Sequence, residues 1–377
     1  MSALAGAPTG PVSVTGRLER VHPLLHQAEV DALLVTELAN IRYLSGFTGS
    51  AAMLLVTAHG ATLLTDGRYR TQAAEQLAGA GAAGVELAVG NGAAQRQALM
   101  GALSQATVTR LGLEADHVTW AAQRRLAEAA AGVEVRPTSG LVEELRQVKD
   151  DQELERMAYA AAVADASLEE VRPMLDEART ELEVALALDT AMRRLGADDR
   201  AFETIVASGP NSAKPHARPT GRQIAPGDAV VVDFGAAYDG YRSDMTRTFF
   251  VGGPPSGVLA RVLDTVCTAQ AIGVTAVHAG TTGGEVDRVC RQSIAEAGFG
   301  EAFEHGTGHG VGLDIHEAPS VGPGVTAILR AGAVVTVEPG VYLAGVGGVR
   351  VEDTVVVSED GCRPLTRFPK DRGATWL

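Results

Sequence analysis

The stretch VVVDFGAAYDGYRSDMTRTFF, residues 230–250, constrains the fold of this chain more than any other. Two apolar, β-branched runs flank an Asp239-Gly240 pair, and Asp-Gly between such runs is a strong hairpin signal. Folding the segment as a hairpin places Asp233 and Asp244 opposite each other within a residue or two. Asp233 follows three valines, where an unpaired carboxylate is costly to bury. The segment therefore predicts an antiparallel sheet with two carboxylates that need a partner.

Two further carboxylates lie in equally apolar surroundings. Glu338 ends the β-branched run AVVTV, just before a Pro-Gly turn. Glu352 lies within GGVRVEDTVVV, which predicts a mid-strand position with Arg350 on the same face, because alternate residues of a strand share a face. Each carboxylate taken singly could be a salt-bridged core residue, and Arg350 with Glu352 is the obvious pair.

Residues 305–317, HGTGHGVGLDIHE, hold three histidines among four glycines. That many glycines exclude a stable helix, so the segment does not match a helical HExxH zinc site. In an extended chain, His305 and His309 share a face with Glu317, and His316 points the other way unless the strand bulges. Glycines let backbone and ligand approach closely, so histidines flanked by them favour a binding or catalytic site.

Convergence of the four carboxylates would require bound cations, because four negative charges do not persist together unneutralised. Two dications balance them, and His309 adds a neutral nitrogen ligand. Ligation that is rich in oxygen and lacks thiolate suits Mn²⁺, Co²⁺ or Fe²⁺ at least as well as Zn²⁺. Two ions sharing bridging carboxylates would lie about 3.5–4 Å apart and hold a hydroxide between them. The residues thus predict a hydrolase site.

The chain of 377 residues is longer than one hydrophobic core usually spans, so two domains are expected. We predict an N-terminal α/β domain over 1–140 and a C-terminal α+β domain over 141–377. The segment GAGAAG at 79–84 matches a dinucleotide fingerprint, but a helix precedes it and a strand follows, so it is predicted to end a helix. Predicted strands of the first domain are 32–36, 51–65 (a hairpin turning at His59-Gly60), 85–89, 109–114 and 133–137.

Residues 141–175 predict one long helix, because apolar residues recur there at three- and four-residue spacing. A second helix begins after Arg179, where Thr180 and Glu183 form a capping-box pattern. The chain becomes strand-rich from 203, with helices predicted at 257–273 and 283–297.

Charge and composition exclude several function classes. A net charge of −14 and only 4% aromatic residues argue against nucleic acid or an anionic membrane as partner. No run of eighteen apolar residues occurs, and the N-terminus lacks a signal-peptide pattern, so neither a transmembrane helix nor secretion is expected. Three scattered cysteines without CxxC spacing indicate reduced thiols and a cytoplasmic protein.

The motifs resemble the two-domain "pita-bread" metallopeptidases of family M24, the Xaa-Pro dipeptidases (prolidases) and aminopeptidases P. The resemblance implies a pita-bread, creatinase/aminopeptidase-like catalytic domain preceded by a non-catalytic creatinase-type α/β domain. The C-terminal blocks that match, in family order, are FETIVASGPNSAKPH (202–216), VVDFGAAYDGYRSDMTRT (231–248), HGTGHGVGLDIHE (305–317), VEPGVY (337–342) and GVRVEDTV (348–355). Further matches to the N-terminal domain of the family are ANIRYLSGFTGSAAMLLV (39–56) and LLTDGRYRTQA (63–73).

Carried over to this chain, the resemblance implies two divalent ions, with Mn²⁺ or Co²⁺ favoured and Zn²⁺ an alternative, and a homodimer. Asp233 would bind one ion, His309 and Glu338 the other, and Asp244 and Glu352 would bridge the two. Glu338 would also transfer a proton from water toward the leaving proline nitrogen. His216 and His316 would hold substrate and stabilise the tetrahedral intermediate. His305 would line the pocket after the scissile bond, and Arg350 would support Glu352 or meet the substrate carboxylate.

Several alternatives stay open. Aminopeptidase P action on longer peptides competes with dipeptidase action, which the short interval from Glu338 to Glu352 favours. A dipeptidase also needs a cation near the proline carboxylate and a group that blocks longer chains, and Arg350, or Arg68 or Tyr69 of the partner subunit, are the candidates for these roles. Non-catalytic members of the fold have lost the ligands that are intact here. Creatinase-type enzymes work without metal, and methionine aminopeptidases lack the long N-terminal domain, so both fit less well.

Overall fold

The computed structural model describes residues 6–370 and 376–377. Tertiary contacts divide the chain into two compact units. One unit comprises Thr9–Arg146, and the other comprises the described residues of Gln147–Leu377 together with residues 6–8.

The Thr9–Arg146 unit is a six-stranded mixed sheet with helices. Strand order is β4-β3-β2-β1-β5-β6, antiparallel where β2 meets its two neighbours and parallel elsewhere. Leu34, Leu55 and Leu111 of the inner strands pack with Leu99 and Leu103 of α4 to form its core. Its elements are α1 Arg17–Gln27, β1 Ala32–Val35, α2 Leu38–Ser45, β2 Ala52–Thr57, β3 Gly60–Thr65, α3 Arg70–Gly79, β4 Val85–Val89, α4 Gly92–Gln105, β5 Arg110–Glu114, α5 Trp120–Ala129, β6 Glu134–Thr138 and α6 Leu141–Arg146.

The Gln147–Leu377 unit combines four long helices with several antiparallel sheets. Its helices are α7 Asp151–Val171, α8 Glu181–Arg194, α9 Gly257–Ala276 and α10 Gly283–Glu296. Its strands are β7 Asp199–Arg200, β8 Ile205–Ser208, β9 Ala229–Phe234, β10 Ala236–Tyr238, β11 Tyr241–Arg242, β12 Met245–Phe250, β13 Gly308–Gly310, β14 Glu317–Val321, β15 Val334–Val337, β16 Gly340–Leu343, β17 Gly347–Arg350, β18 Asp353–Ser358 and β19 Gly361–Pro364.

Two antiparallel sheets of this unit position the candidate site. One has the order β12-β9-β8, and the other has the order β14-β13-β15-β18-β19. One core cluster joins α7 and α8 to the first sheet, and another joins the β15 and β18 valines to Val286 and Cys290 of α10. The helices packed against the two sheets therefore fix the positions of the strand ends, and polar side chains at these ends can line a cavity.

Several local predictions are confirmed. Asp239 and Gly240, both at positive φ (45° and 71°), form the two-residue turn between β10 and β11, as expected for a type I′ turn. Thr180 and Glu183 form the capping box of α8. Residues 79–84 end α3 and lead into β4, so they are a helix terminus and not a dinucleotide site.

Two local predictions are wrong. The β2–β3 hairpin turns at Ala58-His59, because Gly60 already pairs with Thr57. Residues 141–175 are not one helix, since the chain is extended between α6 and α7. There Val148 bridges Ala333, and Asp150 forms a capping box with Glu153 that starts a new helix.

Helix α9 is the one helix in the described part of the chain that is long and apolar enough to cross a membrane by length and composition alone. It carries two charged residues, Arg261 and Asp264. Val262, Leu263 and Val266 on its other face are buried in a core cluster with β16 and β17. Helix α9 therefore packs as a core helix does. A core helix can also be long and apolar enough to meet this criterion of length and composition.

Candidate metal centre

Asp233 and Asp244 lie together at one end of the β9–β12 pair. Asp233 is opposite Thr246 in the register, and Asp244 precedes β12 by one residue. The two aspartates are therefore offset by two residues, which confirms the hairpin expectation. Asp233 lies within β9, and Asp244 lies in the two-residue connection between β11 and β12, so the register of the β9–β12 pair brings the two carboxylates to the same end.

Glu338 and Glu352 reach the same place from the second sheet. Glu338 follows β15 directly, and its N–H donates to the Thr307 carbonyl at 2.8 Å. Glu352 does not lie in mid-strand as predicted but in the two-residue connection between β17 and β18. The chain changes there from pairing with β16 to pairing with β15, and the Glu352 N–H donates to the Thr246 carbonyl at 3.1 Å.

His309 lies on β13 with its ring directed at two of the carboxylates. Its Nε2 is 3.3 Å from Glu338 Oε1 and 3.6 Å from Asp244 Oδ2. His316 comes back to the same side, and its ring centroid is 4.3 Å from that of His309. An extended strand would have separated them. The chain instead folds back between β13 and β14, with a register irregularity between Gly308 and Gly310.

Glu317 does not share a face with His305 and His309 as the extended-chain argument predicted. Its Oε1 accepts a hydrogen bond from Lys149 Nζ at 2.7 Å, and both side chains are nearly inaccessible. The same chain reversal explains the difference, because it turns Glu317 away from the histidines.

One cavity of about 250 Å³ brings the predicted site residues together. Its wall also has an apolar part, formed by Phe202, Ile205, Pro215 and Ile315. The predicted residues that line it are Asp233, Asp244, Glu338 and Glu352, the histidines His216, His305, His309 and His316, and Arg350.

The electrostatics of the four carboxylates favour a bound cation. Burial raises the pKa values of Asp244 and Glu352 well above their ordinary range, and the neighbouring carboxylates raise them further. Burial also raises the pKa of Asp233, against the opposing effect of Arg350. Burial acts on Glu338 in the same direction, but the hydrogen bond and charge of His309 lower its pKa to about 2. Anionic carboxylates this close together are stabilised by positive charge.

The donor atoms fit a divalent ion. Asp233 Oδ1 is buried and has no hydrogen-bond partner among residues 6–370 and 376–377. One ligand atom each from Asp244, His309 and Glu352 lies within 4.8 Å of the others. A buried oxygen without a partner, beside carboxylates and one imidazole, is the donor set that hard and borderline divalent ions prefer.

Arg350 is paired with Asp233 and not with Glu352. Its Nη2 donates to Asp233 Oδ2 at 2.6 Å, and its other nitrogens donate to the Tyr342 hydroxyl, the Pro215 carbonyl and the Thr246 hydroxyl. These bonds use four of the five N–H groups of a guanidinium, and Arg350 is only 2% exposed. The geometry favours support of the carboxylate cluster over contact with a substrate carboxylate.

His305 is hydrogen-bonded to its surroundings, whereas His216 is exposed at the cavity. His305 Nδ1 lies 2.7 Å from the Gly306 carbonyl and Nε2 lies 2.9 Å from the Tyr342 hydroxyl. Burial lowers the pKa of His305, which favours the neutral ring. A neutral ring that donates from Nδ1 accepts at Nε2, so Tyr342 is the donor of that bond.

Sequence reasoning missed three hydroxyl groups that orient residues of the candidate site. Thr246 Oγ1 donates to Glu352 Oε2 at 2.7 Å. Thr336 Oγ1 donates to Glu338 Oε1 at 3.1 Å and accepts the His309 N–H at 3.0 Å. Tyr342 joins His305 to Arg350. For the two threonines, the sequence offered a signal. Each lies two residues from a candidate ligand in an apolar segment, and that spacing puts the two side chains on one face of a strand.

Family models match both halves of the chain. The model of metallopeptidase family M24 matches residues 155–359. The model of the creatinase/prolidase N-terminal domain matches residues 17–148. Every candidate metal ligand lies within the first of these matches.

Similar proteins cover nearly the whole chain. A solved structure of an Xaa-Pro dipeptidase from Bacillus anthracis has a TM-score of 0.91 and 39% identity, covering 95% of this chain and 99% of that one. The Xaa-Pro dipeptidase of Pyrococcus horikoshii is 32% identical over 94% of this chain and 98% of its own length. The solved X-Pro aminopeptidase of Thermotoga maritima has a TM-score of 0.85 and 34% identity, covering 94% of this chain and 99% of that one.

Proposed function

Since the chain belongs to metallopeptidase family M24, with a creatinase-type N-terminal domain and a pita-bread catalytic domain, we propose that it is an exopeptidase that hydrolyses the Xaa-Pro bond, most of all in Xaa-Pro dipeptides. The observation that carries this proposal is the cavity in which four carboxylates and His309 meet beside three further imidazoles. The relatives named Xaa-Pro dipeptidase support the substrate class.

Family membership implies divalent metal ions, and we propose two per chain, Mn²⁺ or Co²⁺ rather than Zn²⁺. Asp233 would hold one ion, His309 and Glu338 the other, and Asp244 and Glu352 both. Four negative charges balance two dications, and the absence of thiolate among the donors suits the harder ions. When bound, such ions supply Lewis-acid chemistry that polarises a carbonyl and makes water nucleophilic at neutral pH.

We assign the proton transfer to Glu338. Its Oε1 accepts the Thr336 hydroxyl and lies beside His309, so Oε2 is the oxygen left to take a proton from the attacking water. As the water oxygen adds to the carbonyl carbon and the C–N bond breaks, the same carboxyl returns the proton to the prolyl nitrogen. General acid–base transfer of this kind contributes about 10²–10⁴-fold to rate.

His216 and His316 are assigned to the substrate carbonyl, and His305 with Phe202 to the proline ring. Both His216 and His316 are exposed at the cavity, so their rings are available to donate where negative charge develops. His305 is fixed by Tyr342 and stacks edge-on against Phe303, which makes a stiff, partly apolar wall. A rigid wall suits a ring substrate because little side-chain freedom is lost on binding.

A bond before proline is a tertiary amide without an N–H group. Peptidases that anchor that hydrogen therefore lose a contact, whereas Lewis-acid chemistry at the carbonyl would not need the missing N–H group. If the free amino terminus of the substrate must lie in the same cavity as the carboxylates, cleavage would be limited to the first bond of a chain.

Ala-Pro and Ala-Pro-Ala distinguish dipeptidase from aminopeptidase P. The protein is first stripped of metal, and each peptide is then assayed with Mn²⁺, Co²⁺ or Zn²⁺ restored in turn. We expect metal-dependent release of proline from Ala-Pro and slower cleavage of the tripeptide. Ala-Ala is the control for the proline requirement.

Rapid cleavage of Ala-Pro-Ala with inert Ala-Pro would instead establish an aminopeptidase, the second candidate, which the likeness to the Thermotoga maritima enzyme supports. Failure to bind any divalent ion, with no effect of chelator, would contradict both candidates and favour a non-catalytic role.

We also propose a cytoplasmic homodimer. None of the three cysteines is in a disulfide bond, which suits a reducing compartment. Light scattering of the purified chain tests the dimer, and a single-chain mass would contradict it.

A further inference from the structure

Lys149 and Glu317 form an almost fully buried ion pair beside the cavity. Lys149 Nζ lies 2.7 Å from Glu317 Oε1, with 1% and 5% of the two side chains exposed. Lys149 is itself fixed, since its N–H donates to the Gly332 carbonyl at 3.0 Å and its Nζ also donates to the Gln147 carbonyl at 3.3 Å. Neither residue lines the cavity, so neither side chain is placed to contact a bound ligand.

Glu317 is the residue next to His316. It begins β14 and pairs with Gly310, the residue after His309 on β13. His309 and His316 are therefore each followed by a residue of the same pair, since Gly310 and Glu317 lie opposite each other on β13 and β14. Any movement of Glu317 changes where His316 stands relative to His309.

The loop that carries His316 closes over the Glu317 carboxylate. A Cβ atom at Gly312 would lie 2.4 Å from Glu317 Oε1, so only glycine fits there without displacing the carboxylate. The other side of the loop is held by Arg242, whose N–H donates to the Gly312 carbonyl at 2.9 Å and whose Nε donates to the Leu313 carbonyl at 3.1 Å. Glu317 and Arg242 thus hold the start of the loop, at Gly312 and Leu313, from two sides.

His316 has no such anchor of its own. No hydrogen bond or ion pair of its ring is found in the described part of the chain, and the residue is exposed. Its contact is the edge of the His309 ring, with centroids 4.3 Å apart. The position of the imidazole is therefore set by the backbone of its loop.

We propose that the Lys149–Glu317 ion pair positions His316 for the reaction by anchoring the loop that carries it. Lys149 and Glu317 act as positioning residues and touch neither substrate nor ions. This role rests on the proposed function, in which His316 donates to the substrate carbonyl. Displacement of a reacting group by about 1 Å costs up to about 100-fold in rate.

The test is a double-mutant cycle between the pair and His316. Replacing Lys149 alone would leave a buried charge without a partner and is expected to unfold the chain, so the neutral double variant Lys149→Met/Glu317→Gln is used. We expect a 10- to 100-fold lower kcat on Ala-Pro with little change in KM or metal content. In the His316→Ala background, the same double variant is expected to lower kcat by less than about 2-fold. The effects of substitutions that act through one group are not additive.

The matched control is Arg156→Met/Asp239→Asn. It removes another ion pair with a buried arginine in the same unit, at 2.7 Å, whose members do not line the cavity. We expect its kcat to stay within about 2-fold of wild type, as for sites that do not interact. An equal loss in this control, or the full loss in the His316→Ala background, would overturn the positioning role.

A crystal structure of Lys149→Met/Glu317→Gln tests the same role without activity. We expect the His316 ring to move from its contact with His309, and an unchanged ring position would overturn the proposal. A wild-type chain that hydrolyses neither Ala-Pro nor Ala-Pro-Ala contradicts the proposed function, whereas an active wild type with an unmoved His316 in the variant contradicts only the positioning role.

Discussion

His309 and His316 touch each other, yet their surroundings separate their roles. His309 is directed at Glu338 and Asp244 and has its backbone N–H held by Thr336. His316 is exposed, and burial together with the neighbouring His309 lowers its pKa, which favours a neutral ring. The first arrangement suits a metal ligand and the second suits a hydrogen-bond donor to substrate.

Substitution of each histidine by alanine tests this division. We expect His309→Ala to lose bound metal, because a ligand is removed. We expect His316→Ala to keep its metal and to lose about 10²–10³-fold in kcat, the effect of removing one donor from a site of developing charge. Metal analysis of the dialysed proteins and kcat on Ala-Pro are the measurements. Loss of metal from His316→Ala would contradict the assignment.

At the residue scale, the sequence identified the candidate ligands but not their partners. Carboxylates among valines were recognisable because burial of an unpaired charge is costly. The partner of Arg350 was not recognisable. Alternation along a strand predicts that Glu352 lies on the same face as Arg350, whereas the observed partner, Asp233, lies on β9, more than a hundred residues away. The pairing of Lys149 with Glu317 spans an even longer interval. Such contacts depend on how the sheets pack against each other, and the periodicity of the sequence carries no information about that packing.

At the element scale, the starts of helices with capping boxes were easier to predict than the breaks between helices. Helices α8 and α10 begin at Thr-x-x-Glu capping boxes. The break between α6 and α7 was missed because apolar spacing continues through it. Asp150 and Glu153 were the local signal, but the extended bridge of Val148 to Ala333 is a long-range contact. A tertiary pairing thus overrides a helical pattern there.

Helix α7 also carries a carboxylate that ties the C-terminal segment to the core. Asp165 accepts the N–H groups of Arg367 and Phe368 at 2.8 and 3.0 Å. Burial raises its pKa from 3.8 to about 6, against these hydrogen bonds. A folded-state pKa above the unfolded value stabilises the fold at low pH. That stability is lost as pH rises from about 4 through about 6.

Asp165→Asn is expected to remove this pH dependence. The free energy of unfolding of wild type should fall, relative to the variant, by up to about 3 kcal/mol between pH 4 and pH 8. Asparagine keeps only one acceptor oxygen, so the change with pH, and not the absolute stability, is the test. Urea unfolding at both pH values measures it, with exposed Glu169→Gln on the same helix as the control. A constant difference across pH would contradict the raised pKa.

At the scale of the whole molecule, the net charge of −14 and the carboxylate cluster both favour a cation-stabilised fold. The candidate ligands come from β9, β13 and the residues beside β12, β15 and β18, so they exist as a set only when the two sheets are assembled. Ions that bind this set and not the unfolded chain stabilise the folded state by mass action. The two-domain organisation was predictable from length and motifs, whereas the assembly of the candidate ligands from two sheets needed the structure.

Metal binding should therefore raise the melting temperature of the unit that contains the cavity. An ion at 100 times its Kd stabilises by about 2.7 kcal/mol, which corresponds to roughly 5–10 °C for a unit of this size. We expect Mn²⁺ added to metal-free protein to produce that shift in calorimetry and chelator to reverse it. His309→Ala should lose most of the shift, and His26→Ala, an exposed histidine of the other unit, should keep it. An equal shift in wild type and His309→Ala would place the stabilising ion elsewhere than at the carboxylate cluster.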